Sequence, residues 1–263
     1  MHRIPLTLPL ALAALAIWLG LTLGGRWFEA SSPQSTLAAS VADGVGLSWA
    51  LAALFSLALL LAAKGRREAG LRAPHPARSL WLAWPPLLYA LLMLLLAWAG
   101  GWPAPRVLLI VACNTALVAL SEELMFRAIL LQGLLQRHAV WPAVLISSAM
   151  FGVVHTVNGL ATGDFSGALW QAAAAAMQGV GYAAIRLRTG SVWPMVLVHG
   201  LWDFALVTAM LADPLDGSVS VLPYAALLAV LPLCLYGAWL LRASQRAALS
   251  FADNVTPTSR RSP

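Results

Sequence analysis

The chain has 263 residues, of which 60% are hydrophobic and only 10% charged, and its mean hydropathy is +0.80. That composition excludes a water-soluble globular domain and asks for a bilayer as solvent. The net charge of +6 and the pI near 10.1 do not call for nucleic acid, because the basic residues gather between apolar runs, where membrane insertion and anionic headgroups select them.

Apolar runs of helical length recur at 5–25, 45–63, 80–99, 107–135, 141–157, 166–186, 191–211 and 222–241. A spanning helix needs about 20 residues. The runs therefore predict an all-α polytopic membrane protein, a bundle of about eight transmembrane helices forming a single membrane domain over residues 1–263. The first run follows Arg3 and contains the small residues of "ALAALA" that a signal-peptide cleavage site would use. It reads as an uncleaved first helix, since no extracellular domain follows it. The polar stretches 26–44 and 64–79 read as loops, the second cytoplasmic, and 242–263 as a disordered tail.

Charge sets the expected orientation. With the N-terminus inside and sides alternating, thirteen of the sixteen Lys and Arg residues fall in the inner segments 1–4, 64–79, 136–140, 186–190 and 242–263. Only Arg26 and Arg106 fall outside, and Arg127 lies within a helix. Both termini are expected in the cytoplasm of an integral membrane protein. One Lys against fifteen Arg points to a GC-rich, bacterial source and so to the inner membrane. Cys113 and Cys234 lie in apolar runs, which argues against a disulfide framework.

The ionisable residues left inside the runs are Glu122, Glu123 and Arg127 in the fourth, His155 in the fifth, and His199 and Asp203 in the seventh. Each is expensive in lipid and needs a partner or a function. Glu123 and Arg127 are four apart with the acid first, the favourable order for a helical ion pair, whereas Glu122 and Arg127 are five apart and point differently. Arg127 is thus expected to neutralise Glu123 and to leave Glu122 unpaired, available as a general base. A purely structural ion-pair network explains Glu123 well and Glu122 badly.

Helix rise supports a site. Glu122 lies 16 residues before the turn near His138, and His155 lies 17 after it. At about 1.5 Å per residue both stand roughly 24 to 26 Å along antiparallel neighbours, level with one another. His199 and Asp203 share a face of the seventh helix, roughly 14 to 20 Å from the turn at Gly190, a mismatch that a protruding fourth helix would absorb. In the sixth run, "WQAAAAAMQGVGY" offers small residues for close packing, with Gly179 and Gly181 serving contact and Gln171 and Gln178 an interhelical hydrogen bond.

"EELMFR", "FGVVH" and "HGLWD" follow one another on successive predicted helices. They match Glu-Glu-x-x-x-Arg, Phe-x-x-x-His and His-x-x-x-Asn/Asp. The ordered set resembles the CAAX protease and bacteriocin-processing (CPBP/Abi) family of intramembrane glutamic proteases, which includes the Ras-converting CAAX endopeptidase. The motif-bearing core is 107–211; the remaining helices resemble the family only in being hydrophobic.

The resemblance implies an eight-helix membrane endopeptidase, with no metal or cofactor, that acts on a membrane-associated peptide or protein. Glu122 and His155 would activate water, and Glu123 and Arg127 would hold the geometry. His199 and Asp203 would stabilise the oxyanion. Asp203 departs from the Asn usual in the prenyl-protein-processing members and, when ionised, only accepts hydrogen bonds. Ala128 stands where many relatives have Gly. Two other readings stay open: zinc chemistry with the same His, Glu and Asp, and a non-catalytic membrane scaffold in which the buried charges only join helices.

Overall fold

The computed structural model describes residues 4–28, 36–212 and 222–242. The tail expected to be disordered lies, from residue 243 on, outside the described residues. Apart from a two-residue parallel pairing of Ile4–Pro5 with Ala63–Lys64, the regular structure of the described residues is helical. The helices are α1 (Leu8–Phe28), α2 (Leu37–Asp43), α3 (Leu47–Ala62), α4 (Trp84–Gly100) after a 3-10 turn at Ala77–Ala83, and α5 (Pro105–Glu123). A π-helical segment, Leu124–Leu130, follows α5 and leads into α6 (Leu131–Leu135). Beyond it come α7 (Val140–His155), α8 (Asn158–Thr162), α9 (Phe165–Thr189), α10 (Trp193–Ala212) and α11 (Leu222–Leu240).

Proline marks several helix starts. Pro85 and Pro86 in α4, Pro105 in α5 and Pro194 in α10 lie in first turns, where the missing N–H has no intrahelical partner to lose. Asp164 caps α9 by accepting from the Gly167 N–H at 2.8 Å. At its other end α9 stops on Gly190, whose φ of 64° lies in the left-handed region and whose position leaves no room for a Cβ beneath the Arg72 guanidinium.

The expected runs recur as helices, but eight spans are not what helix length and composition give. Four stretches are long and apolar enough to cross a membrane: Ala77–Gly100, Pro105–Leu135, Val140–Leu160 and Trp193–Ala212. The pair α2 and α3, bent by 85°, makes a fifth if counted as one span. Helix α9 is long but carries Gln171, Gln178, Arg186 and Arg188, while the apolar helical stretches Leu8–Gly24 and Leu228–Leu240 are short.

The two stretches expected as loops also carry structure. Helix α2 lies within 26–44, and Asn114 of α5 fixes its bend: its amide donates to the Val41 and Gly44 carbonyls at 2.8 and 2.7 Å and accepts from the Gly46 N–H at 2.9 Å. Segment 64–79 is strapped to the α9–α10 junction. Arg72 Nε donates to the Gly190 carbonyl at 2.9 Å, Ser191 Oγ to the Arg72 carbonyl at 2.7 Å, and Val192 N–H to the Gly70 carbonyl at 3.0 Å.

Helix α9 packs between α7 and α11, α10 between α4 and α5, and α3 between α1 and α5. Small residues set these approaches, as in other membrane bundles. A Cβ on Gly152 would stand 2.6 Å from the Ala172 carbonyl oxygen, and one on Gly179 would stand 2.9 Å from Ser148 Cβ. Gln171 accepts from Asn158 Nδ2 at 2.9 Å, whereas Gln178 bonds within its own helix, donating to Tyr182 Oη at 2.8 Å. The π segment lies at the centre, with every residue from Leu124 to Leu130 fully buried.

The α9–α11 contact yields a direct test. A Cβ on Gly237 would lie 2.7 Å from Gly181 Cα and 2.9 Å from the Val180 carbonyl oxygen, whereas Gly20 has nothing within 4 Å. Gly237→Val is expected to destabilise the bundle by about 1–3 kcal/mol, read as a lower melting temperature in detergent. Gly20→Val should melt like the parent chain.

Candidate active site

The last turn of α5 delivers Glu122 and Glu123, both buried, with relative exposures of 5% and 0%. From α10, His199 and Asp203 face them one helical turn apart. The imidazole of His199 stands among three carboxylates: Nδ1 is 2.9 Å from Glu123 Oε1, and Nε2 is 3.3 Å from Asp203 Oδ2 and 3.7 Å from Glu122 Oε2. With its Nδ1 edge on Glu123 and its Nε2 edge between Asp203 and Glu122, this imidazole links the acids of α5 to α10.

Arg127 pairs with Glu123 as its spacing predicts, with Nε 3.5 Å from Oε2, even though it lies in the π segment. It is fully buried, and among the described residues none of its three nitrogens has a hydrogen-bond partner. Aromatic faces surround it instead. The guanidinium carbon lies 4.2 Å from the Phe151 ring centroid, 5.9 Å from that of Tyr182 and 6.0 Å from that of Phe126. Such faces attract a desolvated cation and offset part of its burial cost.

Helix α7 brings His155. Its Nδ1 lies 2.7 Å from the Phe151 carbonyl oxygen. A carbonyl only accepts, so in the neutral ring Nδ1 carries the hydrogen and Nε2 keeps a free lone pair. The Phe151 ring links this imidazole to the rest of the site, with centroids 4.7 Å from His155 and 6.0 Å from His199. Among the described residues no hydrogen bond or ion pair joins His155 to Glu122. His199, expected at a shallower level than Glu122, takes the place beside it.

The site has a closed side and an open side. Glu123 and Arg127 are inaccessible, whereas the Asp203 side chain is 28% exposed and His155 is half-buried.

The structure adds residues that motif reading passed over. Phe151 was visible as the first letter of its motif but not as the platform under Arg127. Tyr182, fully buried, has its ring centroid 5.6 Å from that of His199; its only sequence signal was the four-residue step from Gln178. Among the described residues no group of three or more His, Cys, Asp and Glu side chains is disposed to hold a metal ion.

Residues 104–205 match the family model for Rce1-like proteins, described as type II CAAX prenyl endopeptidase Rce1-like. Neither a curated protein nor a solved structure matches the chain. The matched segment runs from the start of α5 to just past Asp203 and contains all six residues of the cluster.

The buried ion pair predicts an asymmetric response. Arg127→Ala leaves Glu123 buried beside His199 without its cation, a loss of about 3 to 5 kcal/mol. That variant is expected to accumulate poorly and melt early. The double change Glu123→Gln with Arg127→Gln, which removes both charges, should restore folding better than the single change.

Proposed function

We propose that this member of the Rce1-like CAAX endopeptidase family is an intramembrane glutamic endopeptidase. It hydrolyses a peptide bond of a membrane-associated protein or peptide with no metal or cofactor. Eight helices embed it, with both termini in the cytoplasm. The observation that carries the reading is the unequal treatment of two adjacent acids. Glu123 is held by Arg127 and by a 2.9 Å contact to His199, whereas among the described residues the ion-pair contact of Glu122 is to His199 alone, at 3.7 Å; each acid keeps one Oε2 without a hydrogen-bond partner.

Glu122 is therefore the acid available to a water molecule, and the free Nε2 of His155 is the second acceptor. Glu122 removes a proton from the water as its oxygen attacks the scissile carbonyl carbon. The C–O bond forms, the carbonyl π electrons pass to oxygen, and the proton is returned to the leaving amine as the C–N bond breaks. His199 and Asp203 serve the oxyanion. Asp203 accepts from His199 Nε2 in the described arrangement, which aims the imidazole, and Asp203 donates to the oxyanion itself only when protonated. In a bacterial membrane, a leader peptide, a sorting signal or a membrane-protein segment is a more natural substrate than a prenylated protein.

The test begins with membrane-peptide fragments compared between cells carrying the parent chain and cells carrying Glu122→Ala. Purified in proteoliposomes, Glu122→Ala and His155→Ala should be folded yet inactive on the peptide so identified. Parent-like cleavage by either removes the assignment. Asp203→Asn should keep or raise the rate without a chelator effect, while Asp203→Ala should lose roughly a hundred- to a thousandfold, about 2.7–4 kcal/mol. Loss in both, together with chelator inhibition, would point to zinc instead.

Topology has its own measurement. A cysteine replacing Arg67 should react only with reagent on the cytoplasmic side, and one replacing Ala104 only from the opposite side.

A further inference from the structure

Arg127 sits on, and the two acids immediately precede, a turn that does not hold itself together cheaply. Residues Leu124–Leu130 form a π segment, in which each N–H reaches one residue further back than in an α-helix; the Leu131 N–H, for example, bonds the Phe126 carbonyl. Such segments are rare and occur mostly as single widened turns, frequently at functional sites. Apolar packing buries this one completely, but packing is not directional and leaves small rotations open. Directional bonds come from neighbouring helices on each side.

From α1, Trp18 Nε1 donates to Ser121 Oγ at 2.7 Å, with both residues buried. From α7, Ser147 Oγ donates to the Phe126 carbonyl at 3.0 Å. With the Leu131 N–H on the same oxygen, both lone pairs of Phe126 are used. Ser121 immediately precedes Glu122, and Phe126 immediately precedes Arg127, so the two bonds bracket the two acids and the second adjoins Arg127. The Trp18 ring also meets Phe126 edge-on, with centroids 5.5 Å apart. Ser147, Phe151 and His155 follow one another at four-residue steps along one face of α7. The bond that holds the turn thus also sets the register of the helix bearing His155.

We propose that Trp18, acting through Ser121, and Ser147, acting through the Phe126 carbonyl, are positioning residues that fix the widened turn and hence Glu122 against His199, the Ser147 bond also holding the helix that carries His155. Trp18 lies outside the 104–205 family match, so the first helix becomes part of the active-site support. The inference rests on Glu122 as the base.

The experiment compares Trp18→Phe, Ser121→Ala, their double variant and Ser147→Ala in proteoliposomes. It uses the peptide found by the fragment comparison and follows amide hydrogen exchange over residues 124–131 on the same samples. Each single change should lower kcat about tenfold with KM unchanged, the scale of a small misplacement of a reacting group, and should speed exchange in the turn. The Trp18→Phe/Ser121→Ala double variant should lose no more than either single one, because the same bond is removed. Unchanged kcat in folded protein, or losses that multiply in the double variant, overturns the positioning role. Exchange no faster in any variant overturns the holding of the turn. If Glu122→Ala still cleaves, the catalytic reading is what has failed; the exchange result, which needs no substrate, still decides whether these bonds secure the turn.

Discussion

One imidazole between three carboxylates sets the terms for the rest of this structure. Placing Glu122, Glu123 and Asp203 together out of water is unfavourable unless donors meet them. His199 meets Glu123 through Nδ1 and lies between Asp203 and Glu122 on its other edge. That requirement fixes α10 against α5 in a single register, because a displacement of one residue would turn the imidazole away from the acids. The small residues of the contact permit it: Gly200, beside His199, faces Ala119 and the Thr115 carbonyl, with an ideal Cβ 3.5 Å from Ala119 Cβ.

The other charge needs a different solution. Arg127 faces one carboxylate oxygen at 3.5 Å and is otherwise enclosed by Phe126, Phe151 and Tyr182. A guanidinium, weakly hydrated and planar, suits such an enclosure better than an ammonium would. The same Phe151 that stacks under Arg127 offers its carbonyl to His155 Nδ1. A single residue thereby couples the electrostatic support of Glu123 to the tautomer of His155. Any residue there would offer the carbonyl; the ring, 4.2 Å from the Arg127 guanidinium carbon and 4.7 Å from the His155 ring, gives a physical reason for a Phe four residues before the His.

Local spacing was legible and long-range assembly was not. Glu123 with Arg127, and His199 with Asp203, follow from four-residue steps along one chain segment, and both pairs meet in the structure. The helices also lie near their apolar runs, with Pro and Gly at several ends. The π segment was invisible, because nothing in "LMFRAIL" distinguishes a widened turn from an α turn. It bears directly on depth. A wider turn climbs less per residue, so the assumed α-helical rise overstates how far Glu122 stands from the turn near His138. The correction moves Glu122 toward the shallower level estimated for His199, which is the neighbour it has. The bond from Trp18 to Ser121 spans 103 residues, and the Asn114 brace of the α2–α3 bend joins residues about 70 apart; no periodicity encodes such contacts.

The distribution of exposure around the cluster connects this architecture to hydrolysis in a membrane. A peptidase there must bring water and an extended peptide to groups that lipid would otherwise surround. Glu123 and Arg127 are sealed. Glu122 is nearly so, whereas Asp203 and His155 retain partial access. On the proposed mechanism Asp203 and His155 are therefore the members a substrate can touch from outside, with Glu122 behind them. The charges behind Glu122 stay in a region of low dielectric, where a fixed arrangement acts most strongly on the charge that develops in the transition state. A site inverted in depth, with the Arg127 pair at the opening, would spend that electrostatic advantage on solvent.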